Sequence, residues 1–190
     1  MKTIVISLKI FLFLTILTGV IYPLMITGIG QLAFSDKANG SIIYKDNKAI
    51  GSSLIGQQFD STIYFSSRPS AIGYNPLPSG GSNYSLTSDT LKKLVVERRK
   101  QFISFNNLDS NAVIPSEMIF ASASGLDPHI SLQAAMLQVE RIAKARHYNA
   151  NQKQKLIDLI KENKESPQFL CLGDEKINVL LLNLASNKIQ

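Results

Sequence analysis

Apolar and polar positions divide the chain sharply near residue 35. From Ile10 to Ser35 the only ionisable side chain is the phenol of Tyr22. The run Ile10–Gly30 (IFLFLTILTGVIYPLMITGIG) is long enough, at ~1.5 Å rise per residue, for a helix to cross a hydrocarbon core of ~30 Å. It exceeds the ~7–15 apolar residues of a signal-peptide core. No A-x-A-like cleavage site follows, Gln31-Leu32-Ala33-Phe34 being a poor substitute. The pattern therefore predicts a short N-terminal segment (1–9), a retained transmembrane anchor (10–32) and a soluble domain (36–190). Pro23 lacks a backbone donor and predicts a bend near Val20–Tyr22. Thr15 and Gly19 lie four apart on one helix face, a small-xxx-small spacing that lets a second membrane helix approach closely.

The remaining chain alternates between short periodic segments and breakers. Ser41–Tyr44 and Ala49–Ile55 read as strands around an Asp46-Asn47 turn, the second interrupted by Gly51. Ser61–Ser88 holds too many Pro, Gly, Ser and Asn residues for a helix or central strand, and an ordered loop of that length is often functional. Asp89 is placed as the cap of a helix to Phe105, carrying Leu91, Leu94, Val95, Arg98, Phe102 and Phe105 at helical spacing. Asn106–Asn111 breaks it, and Glu117–Ser124 reads as extended. Ser131 caps a second helix with Leu132, Ala135, Met136, Val139, Ile142 and Ala143 on its apolar face. A third begins at Asn149 or Asn151 with Leu156, Leu159 and Ile160. The tail reads as a hairpin, Phe169–Leu172 and Ile177–Leu184, turning at Gly173-Asp174-Glu175. The expected fold class is a mixed α/β domain behind one membrane helix.

Charge sets the orientation. Lys2 and Lys9 precede the apolar run with no acid beside them, whereas Ser35-Asp36-Lys37 follows it nearly balanced. The positive-inside rule then puts the N-terminus in the cytoplasm and the domain outside. Of the net charge of +6, those two lysines account for part; 18 bases against 14 acids leave the rest at +4. Lys92-Lys93, Arg98-Arg99-Lys100 and Arg141–Arg146 fall on predicted helices, where a solvated face is expected. No nucleic-acid motif occurs, and an exported domain meets no genome. The single cysteine, Cys171, allows no intramolecular disulfide, and its neighbours Phe169-Leu170 and Leu172 predict a buried thiol.

Candidate chemistry is sparse. His129 and Asp127 share a loop with Ser122, Ser124 and Ser131 nearby, so an anchored envelope serine hydrolase using Ser124 or Ser131 with His129 is one reading. No G-x-S-x-G elbow accompanies it, and dense serines beside Gly and Pro ordinarily form turns. The two histidines, His129 and His147, lack ligand spacing, so no metal site is expected. Ser79-Gly80-Gly81-Ser82-Asn83 is either an anion cradle or a plain turn; it lacks the lysine and spacing of a phosphate loop. Arg68 is either a surface charge or a carboxylate contact. A pilin-like fibre protein would need a processing site and a glutamate inside the apolar run, and the sequence has neither.

Five segments occur in a telling order: Gly51-Ser52-Ser53-Leu54-Ile55-Gly56-Gln57, Tyr64-Phe65-Ser66-Ser67-Arg68-Pro69-Ser70-Ala71, Ser79-Gly80-Gly81-Ser82-Asn83, Ala121-Ser122-Ala123-Ser124-Gly125-Leu126-Asp127-Pro128-His129-Ile130, and Asn178-Val179-Leu180 with Leu182-Asn183. With the anchor and its Tyr22-Pro23, they resemble the C subunit of the Kdp-type potassium-transporting ATPase over nearly the whole chain. The resemblance implies a non-catalytic subunit of a high-affinity, ATP-driven potassium uptake complex in a bacterial cytoplasmic (inner) membrane. Its implied partners are a channel-like potassium-binding subunit, a P-type ATPase subunit and a small single-span subunit. Consistent with this, no DKTG-like aspartate or nucleotide-binding domain occurs here. The resemblance further implies a catalytic chaperone that raises the ATP affinity of the ATPase subunit, with a nucleotide-contacting glutamine matched by Gln138. No cofactor is expected to bind tightly; ATP would act through the partner ATPase. Thr15, Gly19 and Pro23 are expected in helix packing. Gln57, Arg68, Pro69, Gly80, Gly81, Ser82, Asn83, Ser124, Gly125 and Asp127 are expected to build loops or interfaces. An external domain conflicts with direct contact to cytoplasmic ATP.

Overall fold

A computed structural model describes residues 2–169 and 171–189, which form two compact units, one ending at Ile50 and the other beginning at Gly51. The first unit is dominated by one 32-residue apolar helix, Lys2–Ala33, none of whose apolar window is buried. It comprises α1 (Lys2–Ile16), a π-helical turn (Leu17–Ile21) and α2 (Tyr22–Ala33). Where the bend is expected, near Val20–Tyr22, the hydrogen-bond ladder shifts to this π turn, in which the Tyr22 N–H bonds the Leu17 carbonyl five residues back. It sits in the turn preceding Pro23, where the missing donor and the ring disrupt the regular ladder. Phe34 (φ −141°, ψ 40°) ends the helix, and α3 (Ser35–Ala38) folds back on it. β1 (Ile42–Lys45) and β2 (Lys48–Ser52) pair around Asp46 and Asn47, both at positive φ (50° and 60°) as a type I′ hairpin turn requires.

The second unit begins with a long stretch without regular structure, up to Ser88. The following helix, α4 (Asp89–Asn106), is capped by Ser88, whose side chain accepts from the Leu91 N–H; Asp89, the expected cap, is instead the acid of the first turn. The stretch Glu117–Ser124 is not extended. Ile119 and Phe120 N–H groups both turn back to the Ser116 carbonyl, closing a 3₁₀ turn at Ser116–Met118. β3 (His129–Ile130) follows. Ser131 caps the next helix as expected, through the Ala134 N–H. That helix breaks in two, α5 (Leu132–Met136) and α6 (Val139–Ala145). Gln138 causes the break: its N–H bonds Ala135 three residues back, while its side-chain amide takes the Ala134 carbonyl a regular helix would have used.

α7 (Ala150–Glu162) starts with a capping box between Asn149 and Gln152. The tail departs most from expectation. β4 (Lys164–Glu165) and β5 (Lys176–Asn178) join β3 in an antiparallel sheet of order β3-β5-β4, with His129 opposite Asn178 and Lys164 opposite Ile177. The expected strand Ile177–Leu184 turns helical after two residues because the Asn178 side chain caps α8 (Val179–Ser186) through the Leu181 N–H. Of the expected strand Phe169–Leu172, only a Gln168–Leu172 bridge exists; Leu170 lies outside the described residues. Cys171 is exposed rather than buried, because it sits in the tight turn that this bridge closes.

The core is helical. Val139, Ile142, Leu156, Ile160 and Leu182 pack with Ile130 and Ile177 of the sheet. One residue of the irregular stretch joins them: Phe65 is 0% exposed. The loop therefore runs through the core, and its backbone needs partners there.

Candidate functional site: a clamped loop and its hub

Side chains from α6 and α8 supply those partners. Phe65 is held on both sides by Asn183: its N–H donates to Oδ1 (2.7 Å) and its carbonyl accepts from Nδ2 (3.0 Å). Ser66 is held likewise by Gln138, whose Oε1 accepts from its N–H (2.7 Å) and whose Nε2 donates to its carbonyl (3.4 Å). Arg141 donates to the Thr62 carbonyl, and Arg146 Nε to the Ile63 carbonyl at 2.8 Å. Four side chains thus replace the neighbouring strand that residues 62–66 lack.

The clamping groups brace one another. Arg141 is 3% exposed, lies over the Phe105 ring at 4.4 Å, and donates to Asn106 Oδ1 (2.9 Å) and Gln138 Oε1 (2.9 Å). Burial pulls its pKa down to about 10, so it stays charged at neutral pH, spread over three oxygen acceptors. Arg146 also reaches the Ser186 carbonyl (3.1 Å) and Asn187 Oδ1 (2.9 Å). Neither arginine belongs to the solvated face expected for Arg141–Arg146. The fully buried Gln138 amide accepts twice and donates twice, to Ser66 and Ala134, which uses its entire hydrogen-bonding capacity.

A second junction forms around residues 121–129, where the other sequence boxes converge. The Gly56 N–H bonds the Leu126 carbonyl (2.7 Å), Gly80 N–H the Ser124 carbonyl (3.0 Å), and Ser122 N–H the Pro69 carbonyl (3.3 Å). Ser67 Oγ donates to the Gln57 carbonyl (2.8 Å). Three glycines are required by close approach, Gly56 among them, where a Cβ would fall 2.7 Å from the Asp127 carbonyl oxygen. A Cβ on Gly81 would fall 2.9 Å from the Ala123 carbonyl oxygen; one on Gly125, at φ 72°, would fall 2.9 Å from the Gly80 oxygen. Arg68 is a carboxylate contact, its Nη1 2.6 Å from Asp127 Oδ2. Asp127 Oδ1 also accepts from the His129 N–H (3.0 Å) and lies 3.3 Å from its ring Nδ1. Burial opposes the charge on Asp127, but the His129 and Arg68 hydrogen bonds outweigh it and hold the pKa down to about 2. The Tyr74 hydroxyl donates to the Arg68 carbonyl, and burial raises its pKa to about 12. Ser82 and Asn83 are exposed beyond this junction, Asn83 at φ 52°. With the Gly80 N–H already used, the SGGSN segment is a turn packed on residues 123–125.

Between this loop and α4 lies an open cleft of about 790 Å³, lined by Phe59, Ser67, Tyr74, Arg98, Gln101 and Phe105 among others. Arg98 is tied to the Ile119 carbonyl (3.2 Å). Among the described residues no serine hydroxyl bonds the His129 ring. Ser131 Oγ caps α5, Ser124 Oγ accepts from the Leu126 N–H, and Ser122 Oγ from the Asp127 N–H. The Ser124 or Ser131 hydrolase reading therefore lacks its nucleophile–base pair. Among the described residues no group of three or more His, Cys, Asp or Glu side chains is placed to hold a metal ion.

Sequence reasoning missed the clamp itself: Arg141, Arg146, Asn106 and the roles of Asn178 and Asn183. Two signals were present. Asn183 stands alone in the apolar helix VLLLNLAS, and Arg141 lies on the same helical stripe as Gln138, three residues back. Thr15 and Gly19 are exposed on the apolar helix, with nothing within 4 Å of a Cβ placed on Gly19.

The family model described as KdpC, the c chain of the K⁺-transporting ATPase, matches residues 4–188. Among curated proteins the chain is similar to the potassium-transporting ATPase KdpC subunit of Photorhabdus laumondii, 44% identical over 96% of this chain and 94% of that one. It is also similar to those of Pectobacterium atrosepticum, at 46% over 94% and 93%, and Mycobacterium tuberculosis, at 40% over 96% of each.

The Asp127 junction makes stability depend on acid. A carboxylate held at about 2 instead of its ordinary ~3.9 contributes about 2 kcal/mol that is present above pH ~4 and lost as pH falls towards 2. In denaturant titrations of the detergent-solubilised chain, wild type should exceed Asp127→Asn by roughly that amount at pH 6, the gap closing towards pH 2. A gap independent of pH would contradict the assignment.

Proposed function

The chain belongs to the KdpC family, the c chain of the K⁺-transporting ATPase and an accessory subunit of it, and from that premise we propose that it anchors and stabilises the potassium-uptake complex in a bacterial cytoplasmic membrane. The observation that carries this is the family match from residue 4 to 188, through the anchor and every loop box. In this reading the apolar helix crosses the bilayer, and Thr15, Gly19 and Pro23 form the face that meets a partner helix. The partners are the channel-like potassium-binding subunit, the P-type ATPase subunit and the small single-span subunit. Gln57, Arg68, Pro69, Gly80, Gly81, Ser124, Gly125 and Asp127 fix the loop surface, on which Ser82 and Asn83 stand outermost.

The domain lies outside the cytoplasm, a placement supported by Lys2 and Lys9 before the helix and a balanced flank after it. Any rise in ATP affinity is then exerted through the partner ATPase and not by nucleotide held on this chain. The saturated, buried amide of Gln138 supports that reading, since no face of it is open to a ligand in this conformation.

Affinity capture of the chain after mild detergent extraction tests the assignment. The three partner subunits should co-purify, and complex assembled without this chain should show a raised KM for ATP. The chain alone should give no saturable Mg-ATP isotherm by calorimetry. A micromolar site abolished by Gln138→Ala would overturn the indirect mechanism, and capture of the chain without partners would overturn the assignment. For orientation, a reporter active only outside the cytoplasm, fused after Gln190, should be active; activity of only a cytoplasmic reporter there would reverse the topology.

A further inference from the structure

The first unit does not end where its apolar helix ends. Phe34 breaks the helix, and α3 then doubles back along it. The Ala38 Cβ lies 3.9 Å from the position a Cβ on Gly30 would take. The side-chain amides of Gln31 and Asn39 exchange two hydrogen bonds at 3.3 Å. Residues 38–39 are therefore level with residues 30–31. The Ser41 N–H returns to the Asp36 carbonyl (2.8 Å), and β1 begins at the next residue.

This geometry leaves large apolar side chains bare beside the helix end. Leu32 is 91% exposed, Phe34 58%, Ile42 47% and Tyr44 64%. Ile42 and Tyr44 are two apart in one strand and share a face. Lys37, Lys45 and Lys48 are exposed in the same short segment.

We propose that Phe34, Ile42 and Tyr44 form a collar that lies in the headgroup layer of the bilayer, with Lys37, Lys45 and Lys48 directed at lipid phosphates. The inference rests on the reading of Lys2–Ala33 as a membrane span. The occupant is lipid because the collar is continuous with the span. Ile10–Gly30 is ~32 Å of helix, matching a core of ~30 Å, so Gly30 and Gln31 mark the edge of that core. Ala38 and Asn39 are at the same level, and Ile42 is only three residues further on. An aromatic ring with a polar tip and lysines with long apolar stems are the side chains that favour this layer. Asp36 and Asp46 offset part of the lysine charge, so insertion of the apolar side chains, more than attraction to anionic lipid, carries the contact.

The chain contains no tryptophan, so single substitutions report without background. Full-length Tyr44→Trp and Ile42→Trp would be reconstituted alone in vesicles of phosphatidylcholine and phosphatidylglycerol. Leu17→Trp serves as a reporter within the span, and Val113→Trp as a water-exposed reporter. Both collar reporters should be quenched by lipids brominated near the headgroup, and should resist aqueous acrylamide several-fold better than Val113→Trp. Leu17→Trp should be quenched only by deeply brominated lipid. If Leu17→Trp is shielded while both collar reporters are as accessible as Val113→Trp, the collar is wrong and the span stands. If Leu17→Trp is also accessible to acrylamide, both readings fall.

Discussion

The pairing of Phe65 and Ser66 with Asn183 and Gln138 is the constraint on which the domain depends. A segment without helix or strand passes through a helical core, where each unpaired backbone group costs ~1–3 kcal/mol. The helices meet that cost with side chains. Asn183 and Gln138 each present one acceptor and one donor, as a neighbouring strand would. Arg141 and Arg146 take the carbonyls just before them. Because Gln138 also takes the Ala134 carbonyl, the same residue that fixes the loop divides α5 from α6. Loop and helices define each other, and neither arrangement is available alone.

From that fixed point the rest of the loop follows. Phe65 sits in the core, so Ser67 and Arg68 emerge beside residues 121–129, where Gly56, Pro69, Gly80 and Asp127 meet. Gly56, Gly81 and Gly125 are needed there because backbones touch. A surface built in this way presents polar and aromatic groups, and among the described residues no serine hydroxyl pairs with the His129 ring. The proposed accessory role calls for such a stable shape.

Local signals were legible in the sequence. The Asp46-Asn47 hairpin, the Ser131 cap, the irregular stretch before α4 and a disturbed helix before Pro23 each follow from short-range chemistry, and of the two starts offered for α7, Asn149 is the cap. Failures arose where a side chain reached across the chain. Asn178 caps a helix and donates to the Ser53 carbonyl (2.7 Å), so an apolar run that reads as a strand becomes α8. Arg141 reads as a surface charge because its acceptors at Thr62 and Asn106 are 79 and 35 residues distant. Cys171 reads as buried because its neighbours in sequence are apolar, although its N–H closes a tight turn onto the Gln168 carbonyl and its side chain is exposed. The Asp127 junction was half visible: its residues were named, but the choice between surface charge and ion pair for Arg68 needed the fold.

Amide hydrogen exchange at Phe65 and Ser66 tests the clamp most directly. Loop amides ordinarily exchange fast, whereas these two are bonded to buried side chains in the core. In the detergent-solubilised full chain they should be protected to the level of core helix amides such as Ile142, and Asn183→Ala should remove most of the protection at Phe65. Exchange at Phe65 and Ser66 as fast as at exposed Val113 would contradict the clamped loop.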